Sequence, residues 1–227
     1  MKKLFVFIVG CTLSLPLLAQ RISRVEMSET GILSKLSIEL DEQVILNLTP
    51  TGDIIDYGID IYKGRTDRMQ ERMEPYTGRV VNYTNLDNEA FAGKIRYIGQ
   101  KMITYYASYD DADLVGKIKS IGSTTFEYYN RYDEESLRGK IKSIGSDRII
   151  YYSSFDPSFG GKLKSIGAVQ LTYYSNFDDK AIKGKIKSIG QSQFSYYTSF
   201  DRKELVGNMR NGWRINYVNT IKFLISR

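Results

Sequence analysis

Lysine and tyrosine recur together in this chain at a spacing suited to holding an acidic polymer. Lys117, Lys119, Lys140, Lys142, Lys162, Lys164, Lys185 and Lys187, joined by Lys94 and Arg96, come in pairs separated by one residue. Residues so separated share one face of a flat strand. Tyr129, Tyr152, Tyr174 and Tyr197, with Tyr106, fall between the pairs. Regular cations interleaved with aromatic rings fit an extended anionic partner, either a polysaccharide or a lipid headgroup surface. The plainer expectation for the same residues is a solubilised sheet face. There the lysine stems would cover the tyrosine rings and the charges would discourage edge-to-edge pairing.

Other chemistries are poorly supplied. The chain has no histidine, and its one cysteine is Cys11. Lys-Ser pairs at Lys119-Ser120, Lys142-Ser143, Lys164-Ser165 and Lys187-Ser188 resemble a nucleophile with its base, but adjacent strand residues point to opposite faces. Asp110, Asp111 and Asp113 could offer oxygens to calcium. The corresponding positions after Asp201 are Arg202 and Lys203, and a calcium site needs six or more converging oxygens. No metal and no cofactor is therefore expected. A carboxylate pair for glycan hydrolysis stays open within Asp53–Glu74.

The candidate residues belong to a tandem repeat. Gly-Lys-Ile-Lys-Ser-Ile-Gly stands unchanged at Gly116–Gly122, Gly139–Gly145 and Gly184–Gly190, with variants at Gly93–Gly99 and Gly161–Gly167. The copies are spaced 23, 23, 22 and 23 residues apart, a period that marks a repeat architecture. Each copy reads as a β-hairpin, with Lys117–Ile121 as the first strand and Thr125–Asn130 as the second. Gly122 and its equivalents supply the turn, where positive φ costs glycine nothing. An odd-length loop would place Ile118 beside Phe126 and Tyr128, leaving Lys117, Lys119 and Tyr129 on the opposite surface. The stripe Phe126/Tyr128/Tyr132 and its equivalents Ile103/Tyr105/Tyr109, Ile149/Tyr151/Phe155, Leu171/Tyr173/Phe177 and Phe194/Tyr196/Phe200 are read as core. Asp87, Asp110, Asp133, Asp156, Asp178 and Asp201 are read as N-caps of short helical turns, each anchored by an apolar residue further on.

Lysine repulsion bears on how the hairpins stack. Equivalent lysines lie about 4.8 Å apart in a coil and about 9.6 Å apart in a side-by-side meander. The unscreened cost per pair in water is then roughly 0.9 against 0.4 kcal/mol, and salt widens the ratio. The expected fold class is all-β: tandem hairpins forming an elongated, twisted antiparallel meander, with a β-solenoid or a curled open barrel as alternatives.

Residues 1–19 read as a bacterial-type signal peptide, with Lys2 and Lys3 before an apolar run and Leu17-Leu18-Ala19 at the cleavage site. Residues 20–92 read as an N-terminal β capping region containing one degenerate repeat, 93–206 as five hairpin repeats, and 207–227 as a C-terminal capping strand. Removing 19 residues, two of them lysines, leaves 208 residues and lowers the formal charge from +6 to +4. Phe/Tyr-Asp followed by Gly-Lys-Ile-x-x-Ile resembles the YD-type tandem hairpin repeats of large secreted shells, with a longer gap between Asp110 and Gly116. The period also resembles that of MORN repeats, without their glycine spacing. The functional expectation is an exported, non-catalytic binding or scaffold module of the cell envelope, located in the periplasm or at the surface. Its partner would be an anionic glycan or a lipid headgroup, without nucleic acid and without a membrane span after cleavage. A carboxylate-dependent glycan-processing enzyme and a purely structural spacer are the alternatives.

Overall fold

The structure, a computed structural model, describes residues 21–40, 43–60 and 73–226. Residues 1–20, which include Cys11 and the expected signal peptide, and residues 63–72 of the highly charged segment lie outside the described residues. The chain is all-β, with a 3-10 turn at Glu135–Leu137. Strands β1 (Ile22–Ser28), β2 (Leu33–Glu39), β3 (Val44–Leu48), β4 (Ile54–Asp60) and β5 (Met73–Pro75) follow one another antiparallel.

The array begins with β6 (Val80–Asn82). It continues through β7 (Ile95–Ile98), β8 (Lys101–Tyr105), β9 (Ile118–Ile121), β10 (Thr124–Tyr128), β11 (Ile141–Ile144) and β12 (Asp147–Tyr151). Then come β13 (Leu163–Ile166), β14 (Val169–Tyr173), β15 (Ile186–Ile189), β16 (Ser192–Gln193), β17 (Ser195–Tyr196) and β18 (Met209–Asn211). A last hairpin, β19 (Ile215–Val218) and β20 (Ile221–Ser226), turns at Asn219, whose φ is 55°.

Strands β6 to β16 form one 11-stranded sheet in chain order. The pairing breaks at Phe194 and resumes as β17–β18. The sheet is the antiparallel meander expected and does not close into a barrel. The second sheet has the order β19-β20-β1-β2-β3-β4-β5, in which β20 lies parallel to β1. The C-terminal hairpin thus completes the N-terminal sheet. Both sheets contribute to one core, in which Val25, Leu36, Leu46 and Phe223 join Ile121, Phe126, Ile149 and Ile189.

The repeat owes its shape to a bulge. Ile-Lys-Ser-Ile holds two isoleucines three apart, which a flat strand would send to opposite faces. Yet Ile118 and Ile121 are 1% and 0% exposed, and Ile141 with Ile144 and Ile186 with Ile189 repeat the pattern. Thr104 pairs with Ser120 and Tyr105 with Ile118, so Lys119 is the extra, unpaired residue. Lys142, Lys164 and Lys187 are bulged alike, as are Arg96 and Arg210 at the two ends.

The turn is correspondingly even. Ile121 pairs with Thr124 across Gly122-Ser123, and Gly122 has φ 55° at the first central position, as a type II′ turn requires. The odd-length loop expected from the sequence is corrected here. Its consequence, Ile118 buried with Phe126 and Tyr128, survives because the extra residue sits inside the strand.

The bulge also explains what the tyrosines do. Tyr128 and Tyr173 donate their hydroxyls to the carbonyls of Ile118 and Leu163, at 2.9 and 2.5 Å. The backbone N–H groups of Ile141, Leu163 and Ile186 donate instead to Pro50, Gly31 and Glu29, in the β3–β4 and β1–β2 turns. Those turns key the N-terminal sheet onto the array and supply partners for these backbone N–H groups at the bulges.

Candidate functional site

The two lysines of each repeat do not project together, and the bulge is the reason. Lys117, Lys140, Lys162 and Lys185 turn towards the following repeat, their ammonium groups 4.8–5.3 Å from the ring centres of Tyr128, Tyr151, Tyr173 and Tyr196. Lys162 donates to the carbonyls of Gly184 and Thr30, and Lys185 to that of Gly207 while pairing with Glu29 at 2.9 Å. Burial pushes the ammonium groups of Lys117, Lys140 and Lys162 below the ordinary lysine value. These four cations serve the joints between repeats and layers.

Lys119, Lys142, Lys164 and Lys187 stand outward from the bulge. Their ammonium groups lie 5.1–5.5 Å from the rings of Tyr106, Tyr129, Tyr152 and Tyr174 in the preceding repeat. Arg210 takes the same place over Tyr197. Lys119 keeps half of its side-chain surface exposed, against 18% for Lys185. Lys119 and Lys142 also pair with Asp110 and Asp133, at 3.4 and 3.0 Å. The tyrosines beneath are not open platforms: Tyr129 and Tyr174 donate to Ile149 and Phe194 carbonyls at 2.8 and 2.9 Å, and Tyr152 to that of Leu171 at 3.4 Å.

The aspartates cap backwards. Asp110 accepts the N–H of Ala107 at 2.7 Å, while its own N–H donates to the Ala107 carbonyl. Asp87, Asp133, Asp178 and Asp201 repeat this, so the expected forward N-cap is corrected at these positions. The next residue takes the forward role, Asn88, Asp111 and Asp179 accepting the N–H two positions on. Only Asp156, in the shortened copy, accepts the N–H groups of Ser158 and Phe159, as expected.

A second correction concerns the aromatic stripe. Tyr109, Tyr132, Phe155, Phe177 and Phe200 are not core: they are 85–100% exposed, and Leu86 holds the same place at 98%. Each stands at the tip of the turn that its following aspartate closes. The turns are tied to each other through the residue before the ring. Ser108 bonds Asn88, Arg131 bonds Asp111 at 2.6 Å, Ser154 bonds Glu134 at 2.5 Å, Asn176 bonds Pro157, and Ser199 bonds Asp179. The hydrogen bonds from Ser154 hold the Glu134 carboxyl down to about 2. Ring, aspartate and outward lysine therefore recur at four successive hairpins along a single laced edge, with Arg96 and Arg210 in the lysine's place at its ends. The apolar residue directly before each Phe/Tyr-Asp aspartate was the available signal, since it lies beyond the end of the strand.

Ser120, Ser143, Ser188, Asp53, Asp56 and Asp60, among the other candidates, are engaged by the scaffold. Ser120 bonds Thr104, Ser143 bonds Glu127 and Ser188 bonds Thr172, away from the adjacent bulged lysines. Asp53 accepts from Thr51 and Thr49, Asp56 from Asn47, and Asp60 pairs with Arg24. The Thr51 hydroxyl leads in holding Asp53 below the usual carboxylate range, the reverse of what a general acid needs. A cleft lined by Leu40, Val44, Tyr76, Ile98 and Lys101 offers about 130 Å³. Among the described residues no group of three or more acidic residues is placed to hold a metal ion, and no helix is long and apolar enough to cross a membrane. Comparison of the chain with protein-family models, curated proteins and solved structures finds no match.

Proposed function

We propose that the chain is an exported, non-catalytic binding or scaffold module of the cell envelope, meeting an extended partner along the laced turn edge. The observation that carries this reading is the recurrence of one arrangement, exposed ring, aspartate and outward lysine, at four successive hairpins, with arginine replacing the lysine at the two ends of the array. A site repeated at fixed pitch matches a partner that itself repeats. An active site, by contrast, needs one special environment.

The outward lysines fit the acidic groups of a glycan or of lipid headgroups. The test is retention of the mature chain on acidic polysaccharide and on anionic vesicles at rising salt. Retention weakens as salt screens the contacts, and Lys119→Glu, Lys142→Glu, Lys164→Glu and Lys187→Glu together remove it. Retention unchanged by all four reversals refutes the lysine contact.

A further inference from the structure

The residue at the tip of each turn is almost wholly exposed and adds nothing to the core; single exposed apolar residues are ordinary, but one repeated at the same place in successive turns forms a row that invites a contact. Leu86, Tyr109, Tyr132, Phe155, Phe177 and Phe200 occupy it, each at the same position of its turn. We propose that the row is a docking track for an extended polysaccharide, whose sugar rings lay their C–H faces on the aromatic side chains. This rests on the binding-module reading above and selects the glycan over the lipid headgroup.

Four features of the row favour that occupant. Hydrogen bonds from the residue preceding each ring to the turn before it fix the ring bases relative to one another, so the track is already organised before binding. Successive rings are two strands apart, about 9.6 Å, close to the reach of two sugar residues in an extended chain. The row as a whole spans about 48 Å. A carboxylate follows every member of the row: Asp87 after Leu86, and Asp110, Asp133, Asp156, Asp178 and Asp201 after the five rings. Such carboxylates accept hydrogen bonds from the hydroxyls that a sugar chain presents along its whole length. Lys119 and Lys142, paired with two of them, add donors at the same level. Last, strands in a sheet twist by about 20–25° each, so the row winds by roughly 45° per repeat and cannot lie flat on a bilayer. A polymer chain can follow such a path.

The experiment uses the mature chain and a panel of probes: cello-, laminari- and chito-oligosaccharides, alginate, and phosphatidylglycerol vesicles. The variant Y132A/F155A/F177A removes three rings that make no core contact, so its unfolding midpoint should match the parent's. At least one glycan is expected to bind the parent, and the variant to bind it about tenfold or more weakly. Equal glycan affinity of the two, binding to vesicles alone, or no glycan held by the parent overturns the proposal. So does a row whose removal only abolishes self-association in sedimentation. If the four lysine reversals abolish binding while the ring variant retains it, the track is refuted and the binding-module reading stands. If neither glycan nor vesicle is held by the parent, both fall.

Discussion

Replacing Gly31 by alanine tests how the N-terminal sheet is keyed onto the repeats. Gly31 lies in the β1–β2 turn with φ 79°, and its carbonyl accepts the Leu163 N–H at 3.0 Å. A methyl group there would overlap the Tyr173 ring, which is itself fixed by its hydroxyl bond to Leu163. Two costs add. Holding alanine at positive φ costs about 1–2 kcal/mol, and forcing a methyl into a packed joint costs about 1–3 kcal/mol more. Gly161 supplies the control, because it has φ 74° and open space where a methyl would stand. Gly161→Ala should therefore cost about 1–2 kcal/mol, and Gly31→Ala about 2–5 kcal/mol. Urea unfolding of the chain from residue 20 onward, with unchanged slope, gives both values. For a chain of this size, the extra 1–3 kcal/mol should also lower Tm by roughly 2–12 °C. Combining Gly31→Ala with Tyr173→Leu should show a coupling of about 1 kcal/mol or more, because the ring is the obstacle. If Gly31→Ala is no worse than Gly161→Ala, the turn is not seated on Tyr173 and the keyed arrangement is wrong.

Three further outcomes follow from the same structure. Ile118→Ala and Ile121→Ala should each cost about 2–5 kcal/mol in chemical unfolding, since the bulge buries both; a flat strand would leave one of them nearly neutral. Burial alone would raise the Glu29 pKa, but hydrogen bonds from Lys185 and Arg214 overcome it and hold the carboxyl below its ordinary 4.5. Its contribution is thus present above pH 4.5 and is lost as pH falls through the depressed value, so Glu29→Gln should flatten the acid limb of the stability curve; an unchanged acid limb would show that the pair contributes nothing. Tyr129→Phe removes the buried donor to the Ile149 carbonyl and should cost about 1–3 kcal/mol by the same unfolding assay, whereas Phe177→Ala, fully exposed, should stay within about 0.5 kcal/mol.

Much of this architecture can be read from the repeat itself. The period, the glycine after each Ile-Lys-Ser-Ile and the aromatic pair suffice for tandem hairpins, and lysine spacing favours a meander over a coil. The bulge was harder to see, although its trace is present: Ile118 and Ile121 are three apart, and no flat strand buries both. A two-residue periodicity carried across the bulged residue places Lys117 and Lys119 on one face, whereas the bulge separates them. The exposed rings depart from expectation for a different reason. Large aromatic residues are usually buried, which points Phe155 and Phe177 to the core. Their place beyond the strand and before a turn-closing aspartate outweighs that tendency. The contribution of the N-terminal turns to the repeat joints rests on contacts such as Lys162 to Thr30, 132 residues apart, which no local pattern contains.

Affinity for a polysaccharide as a function of chain length measures most directly whether the edge works as a repeated site. Oligosaccharides of graded length from one series, titrated against residues 20–227, should bind more tightly as they grow, until they span the turns from Leu86 to Phe200. Affinity that is already complete with a short fragment, or absent at every length, would contradict an edge that binds through its repetition.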